Sequence, residues 1–325
     1  MCNFSGSGKR LTVLPRSGVG TNPIGRRTAR TPQELLLVVF CLIDDTLNSL
    51  DLGRLRRRGH APKLADSEVI TIEIVGEFWG LDTDRDLCRH FQQYHTAEFP
   101  ALAHLSRTSF VRQAANLWKV KHLIHSRLAS WLTGDDPRWL VDSLPIDACQ
   151  FARATFCRRF AGVADYGYDH LRKRTYYGFR LHLRTSRDGV IESFQVTTAR
   201  PADATVTPAL EPPPGSVGIG DRASYNPAMR RVLEAGGVTL HAPYYQKSRD
   251  PDPKRSSLLA SLRYRIETVN GQLAVRYQMK RTWARDLWHL IHRIIRKVLS
   301  HTVMICINVQ KTVSPLSFDR LRPAA

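Results

Sequence analysis

Three acidic residues lie in sequence settings where a carboxylate could hold a metal ion. Asp142 lies within the apolar run Trp139–Pro145, Asp221 follows the short apolar run Val217–Gly220, and Glu267 lies in a helical stretch. A carboxylate at the end of a buried strand loses hydration, which costs free energy unless a cation or a hydrogen-bond donor offsets it. Three converging carboxylates without an imidazole cluster suit Mg²⁺.

Two such ions about 3.5 to 4 Å apart can activate a water or a 3′-hydroxyl beside a phosphodiester and stabilise the leaving oxygen. This chemistry is phosphoryl transfer by positioning and charge neutralisation. Each acid also has a structural explanation: Asp142 could cap a turn, Asp221 could begin a loop, and Glu267 could pair with Arg263 on its helix. For any one acid alone the structural explanation is favoured, so the metal site depends on all three.

Two further aspartates compete for these roles. Asp147 lies five residues after Asp142 and is an alternative first ligand. We prefer Asp142 because apolar residues surround it, whereas Asp147 follows Pro145, where a central strand should already have ended. Asp203 is expected to be the N-cap of the short helix that follows it.

Elements that could position these acids are expected after the linker Thr133–Pro137. The run Tyr176–Arg184 alternates apolar and basic residues, which predicts a strand with a basic face. Asp188-Gly189 predicts a hairpin turn into the next strand. Short strands at 217–220 and 236–240, and helices at about 226–235, 257–273 and 283–309, complete the pattern. This order resembles a ribonuclease H-like α/β fold with a mixed sheet.

The chain before this region indicates a helical domain. Thr31 is a plausible N-cap, with Pro32 in the first turn, and further helices are expected after Ala65 and around Phe110 to Trp118. The predicted organisation is therefore a flexible basic tail (1–30), a helical DNA-binding domain (31–136), a ribonuclease H-like catalytic domain (137–311) and a C-terminal tail (312–325).

Composition favours a polyanionic partner. The 325 residues include 48 Lys and Arg against 29 Asp and Glu, which gives a net charge of +19 and a pI near 10.2. No apolar run reaches the roughly 18 residues needed to cross a bilayer, and the N-terminus lacks the apolar core of a signal peptide. Six cysteines without a Cys-x-x-Cys pair favour neither a zinc ribbon nor a disulfide framework. We expect a cytoplasmic, nucleoid-associated protein without a membrane partner.

The positive charge is clustered, and nucleic acid explains this better than a membrane does. Clusters occur at residues 54–58, 153–159, 172–174, 280–285 and 293–297. Candidate DNA contacts are Arg54, Arg56, Arg57, Arg58, Arg180 and Arg184, together with Arg107 and Arg112. His182, on the basic face of its strand, could approach the scissile phosphate or serve as a structural hydrogen-bond partner. Five tryptophans could stack on flipped bases but are expected mostly in the core; they are Trp118, Trp131, Trp139, Trp283 and Trp288.

Several longer strings resemble an insertion-sequence transposase of the nine-eighty-two family, over about residues 31–310. They are Ala65-Asp-Ser-Glu-Val-Ile-Thr-Ile-Glu-Ile-Val-Gly-Glu-Phe-Trp-Gly, Val141-Asp-Ser-Leu-Pro, Tyr177-Gly-Phe-Arg-Leu-His-Leu, Gly220-Asp-Arg and Arg265-Ile-Glu-Thr. The resemblance implies a ribonuclease H-like core whose Asp, Asp, Glu triad corresponds to Asp142, Asp221 and Glu267. It also implies two Mg²⁺ ions, with Mn²⁺ as a substitute, and a homodimer that cleaves transposon-end DNA and transfers the strands to target DNA.

The chain departs from its relatives at some positions. In the Tyr-x-x-Arg-x-x-x-Glu pattern with a Lys seven positions on, Arg263 keeps the Arg position as an auxiliary residue, whereas Ala260 and Ala274 replace the Tyr and Lys. Relatives commonly continue after the second acid with a Lys-Gly-Tyr-like string, which is absent here. Two other functions therefore stay open: a ribonuclease H-like nuclease without strand joining, and a catalytically inactive DNA-binding relative.

Overall fold

The computed structural model describes residues 31–53, 61–221, 224, 226–242 and 253–321. The predicted tail at 1–30 lies outside the described residues. The described helices are α1 (Pro32–Ser49), α2 (Asp66–Phe78), α3 (Asp84–Tyr94), α4 (Arg107–Asn116), α5 (Trp118–Thr133), α6 (Asp203–Val206), α7 (Pro227–Ala235), α8 (Pro253–Val275) and α9 (Leu287–Gln310). The strands are β1 (Arg138–Asp147), β2 (Asp165–Asp169), β3 (Arg174–Ser186), β4 (Ile191–Thr198), β5 (Val217–Ile219) and β6 (Thr239–His241).

The first helices begin where the sequence predicts them. Thr31 caps α1, because its hydroxyl accepts a hydrogen bond from the backbone N–H of Glu34 at 3.1 Å. At the start of α2, the Glu68 carboxylate accepts from the backbone N–H of Ala65 at 2.7 Å. The third predicted helix is divided in two at Leu117, between α4 and α5.

The six strands form one mixed sheet in which β1 lies between β3 and β5. β3 pairs antiparallel with β1, β2 and β4, whereas β5 pairs parallel with both β1 and β6. The predicted order of strand, hairpin, helix, strand, helix, strand and helix is confirmed, with β2 as an additional strand. The Asp188-Gly189 turn joins β3 to β4, and Gly189 has the positive φ of +85° that such a turn requires.

The first strand is longer than predicted. β1 continues through Pro145, which pairs with Arg180 of β3, and ends at Asp147. The expectation that the strand ends before Asp147 is therefore wrong. The physical reason is that β5 pairs with β1 only as far as Leu140, so the edge of β1 at Pro145 has no need for a backbone donor toward β5.

One hydrophobic core joins the helices to the sheet. Ile70 of α2, Ile124 of α5, Leu181 of β3 and Ile305 of α9 are all buried in the same cluster. The predicted separate helical domain is not confirmed, because α1 to α5 share this core with the sheet and α9. None of the described helices is both long and apolar enough to cross a membrane.

The predicted basic cluster at 293–297 lies inside this core rather than on a DNA-binding surface. Lys297 Nζ lies 2.5 Å from Glu77 Oε2, and Arg296 is ion-paired with the same carboxylate. Lys121 Nζ lies 2.6 Å from Glu73 Oε2. The sequence does not show this because the acidic partners lie on α2, more than 200 residues before α9.

The tryptophans are less buried than predicted. Trp139 is 2% exposed, whereas Trp131, Trp283 and Trp288 are 50%, 59% and 41% exposed. The predicted helix at 283–309 begins only at Leu287, so Trp283 lies in the connection between α8 and α9. A connection does not follow the helical period that places an aromatic residue in a core.

Candidate active site

The strand register places Asp142 and Asp221 at equivalent positions of neighbouring strands. Leu140 of β1 pairs with Ile219 of β5, and each aspartate lies two residues beyond its paired residue. Because side chains alternate along a strand, Asp142 lies on the same sheet face as Leu140, and Asp221 lies on the same face as Ile219. The two carboxylates therefore lie on the same sheet face, Asp142 within β1 and Asp221 just beyond the end of β5.

Helix α8 covers this face. Leu259 and Ile266 of α8 form a small apolar cluster with Leu140 and Ile219. Asn270, one turn after Ile266, donates a hydrogen bond from Nδ2 to Asp142 Oδ2 at 2.8 Å. These apolar contacts thus hold α8 against the sheet, in a position where the side-chain amide of Asn270 contacts Asp142.

Asp142 lies in an electrostatically unfavourable position when it is ionised. Its pKa is raised from 3.8 to about 7, mainly by burial and in addition by the nearby carboxylates of Asp221 and Asp203. The backbone N–H of Ser143, at 2.8 Å from Oδ1, and the positive charge of Arg263 act in the opposite direction. Negative charge is therefore concentrated around Asp142 without full compensation by cationic side chains.

Asp221 is fixed by the chain that follows it. Its Oδ1 accepts hydrogen bonds from the backbone N–H and from the hydroxyl of Ser224, both at 2.8 Å. A Cβ on Gly220 would lie 2.6 Å from Ser224, so only glycine fits beside this turn. Arg222 and Tyr225 lie outside the described residues.

Glu267 lies on α8 but does not face the two aspartates directly. Its side chain is 56% exposed and pairs with Arg263 at 3.5 Å, which is the structural alternative considered from the sequence. Within the described part of the chain, no three His, Cys, Asp or Glu side chains are arranged to hold a metal ion. The structure thus brings Asp142 and Asp221 together and leaves Glu267 one turn from Asn270, on the solvent side.

Asp203 is not the N-cap of α6, because Ala202 occupies that position. Its half-buried carboxylate lies 3.2 Å from Arg180 and 3.3 Å from His182 Nδ1. Burial alone would raise the pKa of Asp203, but the hydrogen bond from His182 and the charge of Arg180 give a net lowering. A hydrogen bond with Ser143, the residue after Asp142, links this group to the site.

The basic face of β3 is largely closed. His182 is 1% exposed, and its Nε2 lies 3.0 Å from the hydroxyl of Thr197. Arg184 is 9% exposed and pairs with Glu192 at 2.8 Å. Arg180 is paired with Asp203, so the expectation of a basic face open to DNA is not met here. Of the other candidate DNA contacts, Arg54, Arg56, Arg57 and Arg58 lie outside the described residues, and Arg107 and Arg112 are exposed on α4.

Oxygen atoms suitable for binding Mg²⁺ lie next to Asp142. Among the described residues, Asn270 Oδ1 is buried without a hydrogen-bond partner, next to the carboxylate that its Nδ2 contacts. With Asp142 and Asp221 it supplies carboxylate and amide oxygens, the donors that hard cations prefer. The sequence analysis missed Asn270; its position three residues after Glu267, on the same side of a helix, is the signal that could have identified it.

One protein-family model matches the part of the chain that contains the candidate site. Residues 136–287 match the family model described as Transposase DDE domain, a span that includes Asp142, Asp221 and Glu267. The match supports a DDE-type transposase, whose catalytic domain is of the ribonuclease H-like type. No curated protein and no solved structure matches the chain.

Proposed function

We propose that this protein is an insertion-sequence transposase of the nine-eighty-two family that cleaves the ends of its element and transfers the strands to target DNA. The observation that carries the proposal is the register of β1 and β5, which aligns Asp142 with Asp221 beneath α8. Two carboxylates placed side by side in a buried setting cost free energy unless a cation compensates them. The family match over the same residues supports the DNA substrate.

In this proposal Asp142, Asp221 and the amide oxygen of Asn270 hold divalent metal. Bound Mg²⁺, two ions in the complete site or Mn²⁺ in their place, would neutralise the phosphate charge and lower the pKa of the attacking water or 3′-hydroxyl. Ser224 and the backbone of Ser143 fix the two carboxylates by the hydrogen bonds described above. Their task is to keep the oxygens oriented in the absence of DNA.

Glu267 is the proposed third carboxylate. It lies on the solvent side of α8, where it pairs with Arg263. Exposed ion pairs of this kind contribute about 0 to 1 kcal/mol, so a cation at Asp142 competes easily for Glu267. Arg263, released from Glu267, is then available to a DNA phosphate.

His182 acts through Asp203 in this proposal rather than by contact with the phosphate. It is buried between Thr197 and Asp203. Asp203 in turn bonds to Ser143, so His182 and Arg180 hold the segment of β1 that carries Asp142. The basic stretch 54–58 and a second copy of the chain are proposed to hold the transposon end.

Single substitutions separate binding from chemistry. We expect Asp142→Ala, Asp221→Ala and Glu267→Ala to bind end DNA with Mg²⁺ present but to lose cleavage and joining. Asp147→Ala is the matched control on the same strand, since Asp147 is paired with Arg174 at 2.5 Å and should be dispensable for cutting. Retained cleavage by Asp142→Ala, with loss in Asp147→Ala, would assign the first acid to Asp147.

The same assay discriminates the two other functions. A plasmid carrying the element ends is incubated with the protein and Mg²⁺, and cleaved and joined products are measured separately. Cleavage without joined products would identify a nuclease. Binding without cleavage under any metal condition would identify an inactive relative.

A further inference from the structure

A second site lies between α3, α4 and the start of α9, in a pocket of about 590 Å³. Five arginines and two tryptophans line it. The four exposed arginines and the two tryptophans are called the arginine–tryptophan groove; its residues are Arg85, Arg107, Arg112, Arg285, Trp283 and Trp288. None of these residues belongs to the carboxylate site. The groove combines positive charge with exposed aromatic surface, which are the two features that a nucleic acid strand contacts.

The four arginines are available to a ligand. All four are exposed, and none forms an ion pair with a described residue. Some arginines elsewhere are engaged in ion pairs, as Arg89 is with Asp86 and Arg184 is with Glu192. Guanidinium groups without carboxylate partners favour phosphate, which they bind in a bidentate geometry.

The backbone adds to the positive potential of the groove. Three helices begin at its wall: α3 after the N-cap Thr83, α4 after Ser106 and α9 after Asp286. The N-terminus of a helix carries a partial positive charge from its free N–H groups. Three such ends add to the attraction that the arginines exert on an anion.

The two carboxylates in the groove are already satisfied. Asp84 is ion-paired with Arg293 and, at 2.9 Å, with Arg296. Asp286 accepts from the backbone N–H of His289 at 2.8 Å and lies 2.7 Å from the His289 ring. The four exposed arginines therefore dominate the field that an approaching anion meets.

The tryptophans give the groove a second type of contact. Trp283 and Trp288 are 59% and 41% exposed, although burying such a ring is normally favourable. Trp283 has a φ of +54°, an unfavourable conformation for a bulky residue. The preceding residue is held firmly, because Arg293 donates a hydrogen bond to the carbonyl of Thr282 and also pairs with Asp84. This anchor keeps the connection, with its exposed indole, against α3.

We propose that the groove binds a single strand of DNA, with phosphates on the arginines and an unstacked base on Trp283 or Trp288. The inference rests on the proposed transposase function and deepens it, since cutting and joining expose unpaired strand ends. Duplex DNA keeps its bases stacked inside the helix and offers only phosphates to the groove. The tryptophans therefore distinguish a single strand from a duplex.

The test measures binding of the full-length protein to a fluorescein-labelled oligothymidine and to a blunt duplex, by anisotropy over a series of salt concentrations. Arg107→Ala/Arg112→Ala removes two phosphate contacts, which should reduce the slope of log K against log salt by about 1.4 for the single strand. Trp283→Ala should weaken oligothymidine binding about 5- to 150-fold, the range of one base–aromatic stack, without a change in the slope.

Matched controls lie on other surfaces. Arg127 and Arg187 are exposed arginines outside the groove, and Trp131 is an exposed tryptophan on α5. Arg127→Ala/Arg187→Ala and Trp131→Ala should bind as the unaltered protein does. If Arg107→Ala/Arg112→Ala lowers the melting temperature, Arg85→Ala/Arg285→Ala replaces it as the second arginine pair.

The outcomes separate this inference from the proposed function. Equal binding by the groove variants and their controls would overturn the groove, even if Asp142→Ala abolishes cleavage. An equal loss of duplex and single-strand binding in Trp283→Ala would overturn the assignment of a single strand. Loss of oligothymidine binding in the groove variants, with cleavage unaffected by Asp142→Ala, would support the groove and refute the catalytic site.

Discussion

The substitution Asp142→Asn tests whether the ionised carboxylate of Asp142 destabilises the metal-free protein. It removes one negative charge while keeping the size of the side chain. Asn270 can turn its amide so that its unpartnered Oδ1 accepts from the new amide, while Nδ2 no longer contacts position 142. The hydrogen-bond cost is therefore small, and the change in stability reports the electrostatics.

The magnitude follows from the pKa of Asp142, which burial raises from 3.8 to about 7. At about 1.4 kcal/mol per pH unit, ionisation of the folded protein costs up to about 4 kcal/mol. Water entry and structural relaxation reduce this cost. We therefore expect Asp142→Asn to raise the free energy of unfolding by about 1 to 3 kcal/mol at high pH. Because the folded-state pKa is raised, the stabilising contribution of the protonated carboxyl is complete below pH 4 and is lost as pH rises through 7.

The assay is urea unfolding of the metal-free protein, with a chelator, at pH 4.5 and pH 8. We expect the stability advantage of Asp142→Asn over the unaltered protein to be small at pH 4.5 and larger at pH 8. Asp45→Asn, an exposed substitution on α1, is the control. Its stability relative to the unaltered protein should be the same at both pH values. Mg²⁺ at pH 8 should stabilise the unaltered protein and Asp45→Asn, but not Asp142→Asn. A stability difference independent of pH would refute the reasoning.

Further predictions concern the core and the sheet. Lys121→Met should destabilise the protein by about 3 to 5 kcal/mol in urea unfolding, since Glu73 stays buried with less compensation, whereas Lys119→Met on the exposed side of α5 should have little effect. Addition of Glu73→Gln to Lys121→Met should recover part of the loss. Gly178→Ala should cost at least about 2 kcal/mol, because the new Cβ would lie 2.1 Å from the carbonyl oxygen of Ile146. Gly271→Ala, with open space around its Cβ within α8, should instead stabilise by up to about 1 kcal/mol. A neutral Gly178→Ala would show that β1 and β3 do not approach closely at this point.

Local patterns in the sequence were sufficient to predict most of the strands and helices. The alternation in β3, the Asp188-Gly189 turn and the Thr31 cap are short-range features, and each lies where it was expected. β2 was missed because three of the five residues of Asp165–Asp169 are Asp or Gly, which are depleted in strands. The end of β1 was misplaced because the pairing partner, rather than Pro145 itself, decides where a strand stops.

Long-range pairing limited the prediction of the site. The acids were chosen from their flanking residues, and the register of β1 and β5 then aligns two of them. The partners of Arg180, Arg184, Arg296 and Lys297 could not be read from neighbouring positions, because the carboxylates lie on other elements. A basic cluster in sequence therefore has two outcomes, a surface for DNA or a buried ion network, and only the fold separates them.

The most direct test of the account is the number of Mn²⁺ ions bound to the protein with its end DNA, measured by electron paramagnetic resonance. The unaltered protein should bind two ions tightly, and Asp142→Asn and Asp221→Asn should each lose tight binding while they retain DNA. Glu267→Gln should weaken binding in the same way, although Glu267 pairs with Arg263 in the absence of metal. Unchanged Mn²⁺ binding in Asp142→Asn and Asp221→Asn would contradict the proposed metal site.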